Sequence, residues 1–338
     1  MSTVKIPTVK IATTNTDGTG SANNLTDDHT VLTGVGVIDE SEYEASNNND
    51  IIDVEAAYWN AKGSKEVKID AENVNVVTKD FVDVDLNLAN STNDVIVNVI
   101  NSKRGQIETG SGDDSIALSV QTNNGGWSNL FQIDTGDGVD SVTISDAQNS
   151  QFTSLDIKTG NGGDSVNLSA MKASADASVF RIIDTGAGDD TIAGSKGADA
   201  INGGEGVDII FAGGGDDVVT FDAADRFVDG GQGFDALVIQ GRTTADIGPQ
   251  FTGFEAIIGE AGSAQNIRID LQDGLVIRLG GDAGDNVSFN ELSSFTALST
   301  EDSDALSGRF DVDTSGLQAY QTENDGNTVT IWSDTDLV

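Results

Sequence analysis

The chain has 338 residues, enough for one large domain or two to three small ones with a sizeable core. It carries 17 Lys+Arg against 56 Asp+Glu, a formal net charge of −39, which repels phosphate backbones and anionic lipid and so argues against nucleic acid and membrane surfaces as partners. Cysteine is absent, which removes disulfides, thiolate metal sites and Cys nucleophiles, and the single histidine, His29, has no metal-ligand companion at useful spacing.

The N-terminal stretch MSTVKIPTVKIATTNTDGTG lacks the apolar core of a signal peptide, and no stretch approaches membrane-spanning length. The expectation is therefore no cleaved N-terminal signal and no membrane insertion. High net charge favours disorder, but only 2 prolines and long alternating runs of Val, Ile and Leu point to a folded β chain. Self-repulsion of this size opposes compaction until cations neutralise it. Residues 1–108 are expected to be a β-rich segment holding early, degenerate copies of the repeat that begins at 109. Within it FVDVDLNL (81–88) places Val82, Val84, Leu86 and Leu88 on one face, and STNDVIVNVI (91–100) ends in a worn Asp-x-Ile.

Residues 109–240 are repetitive. IETGSGDDSIAL (107–118), IDTGDGVDSVTI (133–144), IKTGNGGDSVNL (157–168) and IDTGAGDDTIAG (183–194) share I-x-T-G-x-G-x-D-[ST]-[IV]. Their threonines, at 109, 135, 159 and 185, are 26, 24 and 26 residues apart. From Thr185 the step shortens to nine: TGAGDDTIA, GSKGADAIN, GGEGVDIIF, AGGGDDVVT, FDAADRFVD and GGQGFDALV, ending at 238. The fifth unit breaks the pattern, with Ala224 at the fourth place and Arg226 at the sixth, but keeps Val228 at the eighth. Glycine suits a tight turn, and the alternating residues Ile116, Leu118 and Val120, Val142 and Ile144, and Val166 and Leu168 suit one face of a short strand. Such a strand buries its face only by stacking on its neighbours. The expected fold is all-β, a parallel β-solenoid or β-roll with Gly-Asp turns, flanked by further β-rich segments.

The tandem G-G-x-G-x-D-x-(apolar)-x over 185–238, and its looser form over 109–192, resembles the RTX calcium-binding repeat of secreted bacterial proteins. The resemblance implies several Ca²⁺ ions, each held between stacked turns by the sixth-place Asp carboxylate and by backbone carbonyls around the glycines. Carried over place by place, the carboxylates are Asp114, Asp140, Asp164, Asp190, Asp199, Asp208, Asp217 and Asp235, with Asp113, Asp189 and Asp216 adding oxygens from the fifth place. The turn glycines are Gly110, Gly112, Gly136, Gly138, Gly160, Gly162, Gly186, Gly188, Gly204, Gly206, Gly213, Gly215, Gly231 and Gly233. The chemistry agrees with the resemblance: Ca²⁺ takes six to eight hard oxygens, and a Gly-rich acidic turn supplies carbonyls and charge. With one turn per long repeat, Asp114, Asp140, Asp164 and Asp190 should form a single file. With nine-residue units alternate turns share an edge, so Asp190 should meet Asp208, and Asp199 should align with Asp217 and Asp235. Arg226 then falls where the next aspartate of the first edge belongs, and its guanidinium is expected to cap that ladder in place of a calcium ion.

Other readings of the same residues are weaker. Asp-Thr-Gly occurs twice, at Asp134 and Asp184, as in aspartic proteases, but the aligned position is Glu108 and Lys158 in the other repeats. One histidine leaves no HExxH zinc site and no Ser-His-Asp triad, and the acidic glycine turns repel phosphate. The expectation is no enzyme. The four repeat threonines form a file that could be exposed, as in ice-binding solenoids, or serve simply as β-formers.

Residues 241–338 lack the repeat and are expected to be a β-rich assembly or secretion segment. IRIDLQDGLVIRL (267–279) reads as two strands around an Asp-Gly turn, NELSSFTAL (290–298) as one short helix, and NDGNTVTIW (324–332) as a turn and strand. The tail TVTIWSDTDLV resembles the uncleaved C-terminal signals of type I secretion in Gram-negative bacteria. The functional expectation is a secreted calcium-binding structural protein that self-assembles with Ca²⁺ in a surface layer, filament or matrix. The alternative is a monomeric adhesin or carbohydrate-binding module; an extracellular polysaccharide-acting enzyme stands third. Expected partners are further copies of the chain and cell-surface polysaccharide.

Overall fold

The computed structural model describes residues 83–121, 129–148, 153–174, 181–240 and 244–259 without a break, together with residues 81 and 179 and a set of separate strand segments. All of its regular structure is β, with no helix among the described residues. The chain divides into two compact units, Met1–Gly206 and Val207–Val338.

In the first unit successive strands alternate between two parallel sheets. One sheet stacks Asn75–Lys79, Ile96–Ser102, Ser115–Gln121, Ser141–Gln148, Ser165–Asn167 and Thr191–Ala193 in that order. The other stacks Asp83–Ser91, Arg104–Gly110, Asn129–Gly136, Thr153–Lys158, Arg181–Asp184 and Ala200–Asn202. Parallel pairing continues upstream through Ile51–Glu55 and Glu66–Asp70, while Lys10–Thr14 and Gly20–Asn24 form a separate antiparallel pair.

Register explains why each repeat ends in an apolar pair. Leu86, Ile107, Ile133, Ile157, Ile183 and Ile201 are in line across one sheet, all buried. Val76, Val97, Ile116, Val142, Val166 and Ile192 form the matching column of the other. Each such side chain, buried, contributes about 1.5–3 kcal/mol, which a strand of three to nine residues obtains only from rungs above and below. A second column runs Val84, Gly105, Phe131, Leu155 and Arg181. Gly105 makes room there: a Cβ on it would lie 3.1 Å from the Phe131 ring. Arg181 ends this column as a buried cation. Of the FVDVDLNL face, Val84, Leu86 and Leu88 are buried, and Phe81 joins them; Val82 lies outside the described residues.

The second unit has the same design. Ile209–Gly214, Phe227–Gln232 and Phe251–Thr252 stack in parallel, as do Val218–Thr220, Ala236–Ile239, Ala256–Gly259 and Val276–Arg278. The downstream segments depart from the local reading. The two strands in 267–279, Asn266–Ile269 and Val276–Arg278, do not pair with each other. They join different parallel stacks, because alternation alone does not distinguish a hairpin partner from a neighbouring rung. Asn327–Ser333 pairs in parallel with Val276–Arg278 and antiparallel with Gln318–Asn324, setting Asn324 opposite Asn327; the expected turn residues Asp325 and Gly326 lie outside the described residues. The expected helix at 290–298 is replaced, where described, by the strand Thr296–Ala297; residues 290–295 and 298 lie outside the described residues.

Candidate metal centre

The repeat glycines are required by the stacking of the turns. Gly136 has φ +92°, and a Cβ on it would lie 1.9 Å from the Gly110 carbonyl oxygen of the preceding rung. Gly138 repeats this with φ +143° and the Gly112 oxygen at 2.0 Å. An L side chain is excluded twice, by the backbone conformation and by the stacked turn. The remaining predicted glycines share the positive φ, except Gly112, whose Cβ would strike the Asn93 carbonyl carbon at 2.4 Å. Hydrogen bonds carry the parallel ladder around the bend: Asp137, Asn161, Ala187 and Glu205 donate their amides to the carbonyls of Gly110, Gly136, Gly160 and Gly186.

At the inner side of these turns lie the sixth-place carboxylates. Asp114, Asp140, Asp164 and Asp190 are all at most 2% exposed. They form the expected single file. The Val95 amide donates to Asp114 at 2.8 Å, Asp114 to Asp140 at 2.7 Å, Asp140 to Asp164 at 2.8 Å, and Asp164 to Asp190 at 2.6 Å. In each bond the acceptor is Oδ1. The Oδ2 atoms of Asp114, Asp140 and Asp164 are buried and accept no hydrogen bond. Burial pushes Asp140 up to about 6, helped by Asp114 and Asp164 and opposed by the neighbouring Thr135 hydroxyl and the hydrogen bond from the Asp114 amide. Burial raises Asp114 as well, against the neighbouring Thr109 hydroxyl and the hydrogen bond from the Val95 amide. Parallel rungs stand about 4.8 Å apart, and two like charges at that separation repel by roughly 3.5 kcal/mol at an effective dielectric near 20. A file of ionised carboxylates is therefore unfavourable unless a cation shares its unbonded oxygens.

The fifth-place aspartates do something different. Asp113 accepts the Val139 amide at 2.9 Å, and Asp216 accepts the Phe234 amide at 2.9 Å. They are exposed, as is Asp189, so they face solvent at the rim of the turn. Asp94, in the worn end of 91–100, plays the same part for the Asp113 amide. The repeat threonines point inward instead of forming an outer file. Thr109, Thr135 and Thr159 are at most 1% exposed and donate to the carbonyls of Thr135, Thr159 and Thr185, and Thr185 donates to Gly203. The ice-binding reading fails on that burial. The Asp-Thr-Gly dyad fails on register: Asp134 and Asp184 lie on either side of Lys158 on the intervening strand, two strand spacings or about 9.5 Å apart.

Asp199 is held differently from the other sixth-place residues. Ser195 donates to it from both its amide, at 2.6 Å, and its hydroxyl, at 3.0 Å. The buried Arg181 guanidinium stands 4.0 Å away and bonds Ser195 Oγ and the Lys172 carbonyl. Burial still pushes Asp199 up to about 6, against the Ser195 amide and Arg181. Arg181 gives no sign in the nonapeptide pattern; only its place in the apolar column Val84–Leu155 marks it.

In the second unit Asp208, Asp217 and Asp235 are at most 1% exposed. The Asp217 amide donates to Asp235 at 2.9 Å, the eighteen-residue pairing expected of nine-residue units. The Asp235 amide in turn donates to Glu255 at 2.9 Å, so a glutamate beyond the repeats extends the ladder by one rung. Burial pushes Asp235 up to about 6, with Glu255, Asp216 and Asp229 adding to it and the Asp217 amide opposing. Arg226 is exposed and does not cap the ladder. Register sets it opposite Asp208, but its neighbour Asp225, 5% exposed, is the residue turned inward.

Among the described residues no three His, Cys, Asp or Glu side chains converge as a ready-made metal centre. That fits a repeat that offers one inward carboxylate per turn and draws its other oxygens from the backbone. The family model for the RTX calcium-binding nonapeptide repeat matches residues 184–219, as four copies. Residues 184–219 are thus a run of RTX-type calcium-binding nonapeptide repeats. No curated protein and no solved structure matches it. The RTX repeats bind Ca²⁺, and the buried, unbonded Oδ2 atoms in turns whose glycines admit no Cβ are where the residues fit such an ion. Asp114, Asp140, Asp164 and Asp235 would each contribute a carboxylate oxygen. Calcium supplies the positive charge that these turns otherwise lack. Asp199 alone has an internal substitute in Ser195 and Arg181. No helix among the described residues is long and apolar enough to cross a membrane.

Proposed function

We propose that the chain is a secreted structural protein that folds with Ca²⁺ outside the cell and there self-assembles into a surface layer, filament or matrix. The observation that carries this reading is the buried file Asp114–Asp140–Asp164–Asp190, in which Asp114, Asp140 and Asp164 each keep an unbonded oxygen, in a chain of net charge −39. At low calcium such a file opposes its own formation, which keeps the chain extended and exportable; at extracellular calcium it closes. Sites of the extracellular class bind at about 10⁻⁴–10⁻³ M. With ~2 mM calcium and a Kd of ~0.2 mM, each occupied site adds about 1.4 kcal/mol. Six to eight sites then give roughly 10 kcal/mol, the size of a whole domain's stability.

Two measurements test the reading. Circular dichroism in EGTA should show little β signal, and millimolar calcium should restore it; full β signal in EGTA overturns the coupling. Negative-stain microscopy after calcium addition should show sheets or filaments. A single small species at every calcium level would leave calcium-dependent folding in place and favour the monomeric adhesin or carbohydrate-binding module.

A further inference from the structure

The fifth nonapeptide, FDAADRFVD at 221–229, breaks the repeat and lies beyond the matched residues 184–219. We propose that this turn is nevertheless a calcium site, in which Asp225 replaces the missing sixth-place aspartate and shares the ion with Asp208. The inference rests on the calcium reading of the intact repeats and extends it to a turn that the sequence pattern rejects.

The backbone explains the replacement. Ile209 pairs with Phe227, which puts Arg226 at the sixth place opposite Asp208. The amides of Arg226 and Phe227 both donate to the Asp208 carbonyl, at 2.9 and 3.3 Å. The Arg226 side chain is exposed, and the residue before it enters the turn. Asp225 then occupies the ladder position: it is buried one residue before the sixth place, and its carboxylate is held by the backbone of Asp208 and of Asp222, the first as Asp114 holds Asp140 and Asp217 holds Asp235. The likeness extends to the other oxygen. Asp225 is 95% buried, since only 5% of it is exposed, and its Oδ1 accepts no hydrogen bond.

Among the described residues nothing cationic compensates this carboxylate. The charged groups that act on Asp225 are Asp208, which is fully buried, and Asp222, and both are acidic. A buried carboxylate with an unbonded oxygen, repelled by a second buried carboxylate, calls for a hard divalent ion that accepts oxygen ligands in irregular number. Arg226 does not serve, because its guanidinium is turned to solvent.

Counting ions tests the site. Equilibrium dialysis of the full chain against saturating calcium, with metal analysis, should give one ion fewer for Asp225→Asn than for the unaltered protein. Arg226→Ala should keep the full number. An unchanged count in Asp225→Asn, or an ion lost in Arg226→Ala, overturns the proposal. Should Asp225→Asn not fold in calcium, hydrogen exchange on the unaltered chain decides instead. Amides of 221–227 should gain protection when calcium is added, and exchange at the calcium-free rate would overturn the proposal. An unaltered chain that binds no calcium at all would sink the calcium reading itself; a full count in Asp225→Asn sinks this site alone.

Discussion

The Asp114 amide donates a 2.7 Å hydrogen bond to Oδ1 of Asp140 one rung on, while Oδ2 of the same carboxylate is buried and accepts none. One side chain thus latches two turns together and also presents a charge that only a cation can balance. Substitutions separate the two roles. Asp140→Asn keeps an acceptor for the Asp114 amide but loses the charge, so the calcium midpoint of folding should rise severalfold. Asp140→Ala also strands that buried amide, a further loss of about 1–3 kcal/mol in urea unfolding at saturating calcium. Equal losses in the two variants would show that the latch contributes nothing.

Proton and calcium should compete for the turns. Burial holds Asp140 and Asp235 at about 6 and Asp225 at about 7, above the ordinary carboxylate value of 3.8. A carboxyl raised on folding contributes stability that is complete below about pH 4 and lost as pH rises through about 6 to 7. Calcium-free protein should therefore gain β signal when acidified from about pH 7.5 to about pH 5, and the calcium midpoint should climb over the same interval. Circular dichroism in EGTA that stays flat across that range would contradict both the burial of the carboxylates and their competition with the metal.

Much of this was legible in the sequence because a solenoid writes its contacts at a fixed period. The steps between Thr109, Thr135, Thr159 and Thr185 already imply the single file of aspartates, and eighteen residues between Asp217 and Asp235 imply their pairing. What stayed hidden breaks the period. Arg226 keeps the register opposite Asp208 while Asp225 is the side chain turned inward, an exchange that a pattern in fixed register cannot express. Glu255 lies past the last repeat, and Asp94 sits in a turn without its glycines. The strands in 267–279 alternate as a hairpin would, yet each faces a parallel rung.

Two glycines in one turn should respond unequally. Gly160 has φ +96°, and its Cβ would lie 1.9 Å from the Gly136 carbonyl oxygen; Gly163 meets only the Asp189 carbonyl oxygen, at 3.3 Å. Gly160→Ala combines backbone strain with a steric clash between rungs and should cost about 3 kcal/mol or more. Gly163→Ala should stay within about 1 kcal/mol. Thermal melts in saturating calcium provide the comparison, and similar melting points would refute the stacking account of the glycines.

Arg181 should matter in a way that calcium does not repair. Its guanidinium sits 4.0 Å from Asp199, both residues are at most 3% exposed, and it also bonds the Ser195 hydroxyl that holds Asp199. Arg181→Met fills the apolar column with a side chain of similar length but leaves Asp199 without its buried counter-charge. Removing one partner of such a pair costs about 3–5 kcal/mol. Adding Asp199→Asn removes the orphaned charge while keeping an acceptor for the Ser195 amide, so the double variant should be more stable than Arg181→Met alone. Urea unfolding of the single and double variants measures the difference. If Arg181 serves as the internal cation of this turn, more calcium will not restore the single variant. Full recovery at high calcium would show instead that the turn at Asp199 accepts an ion like the rest.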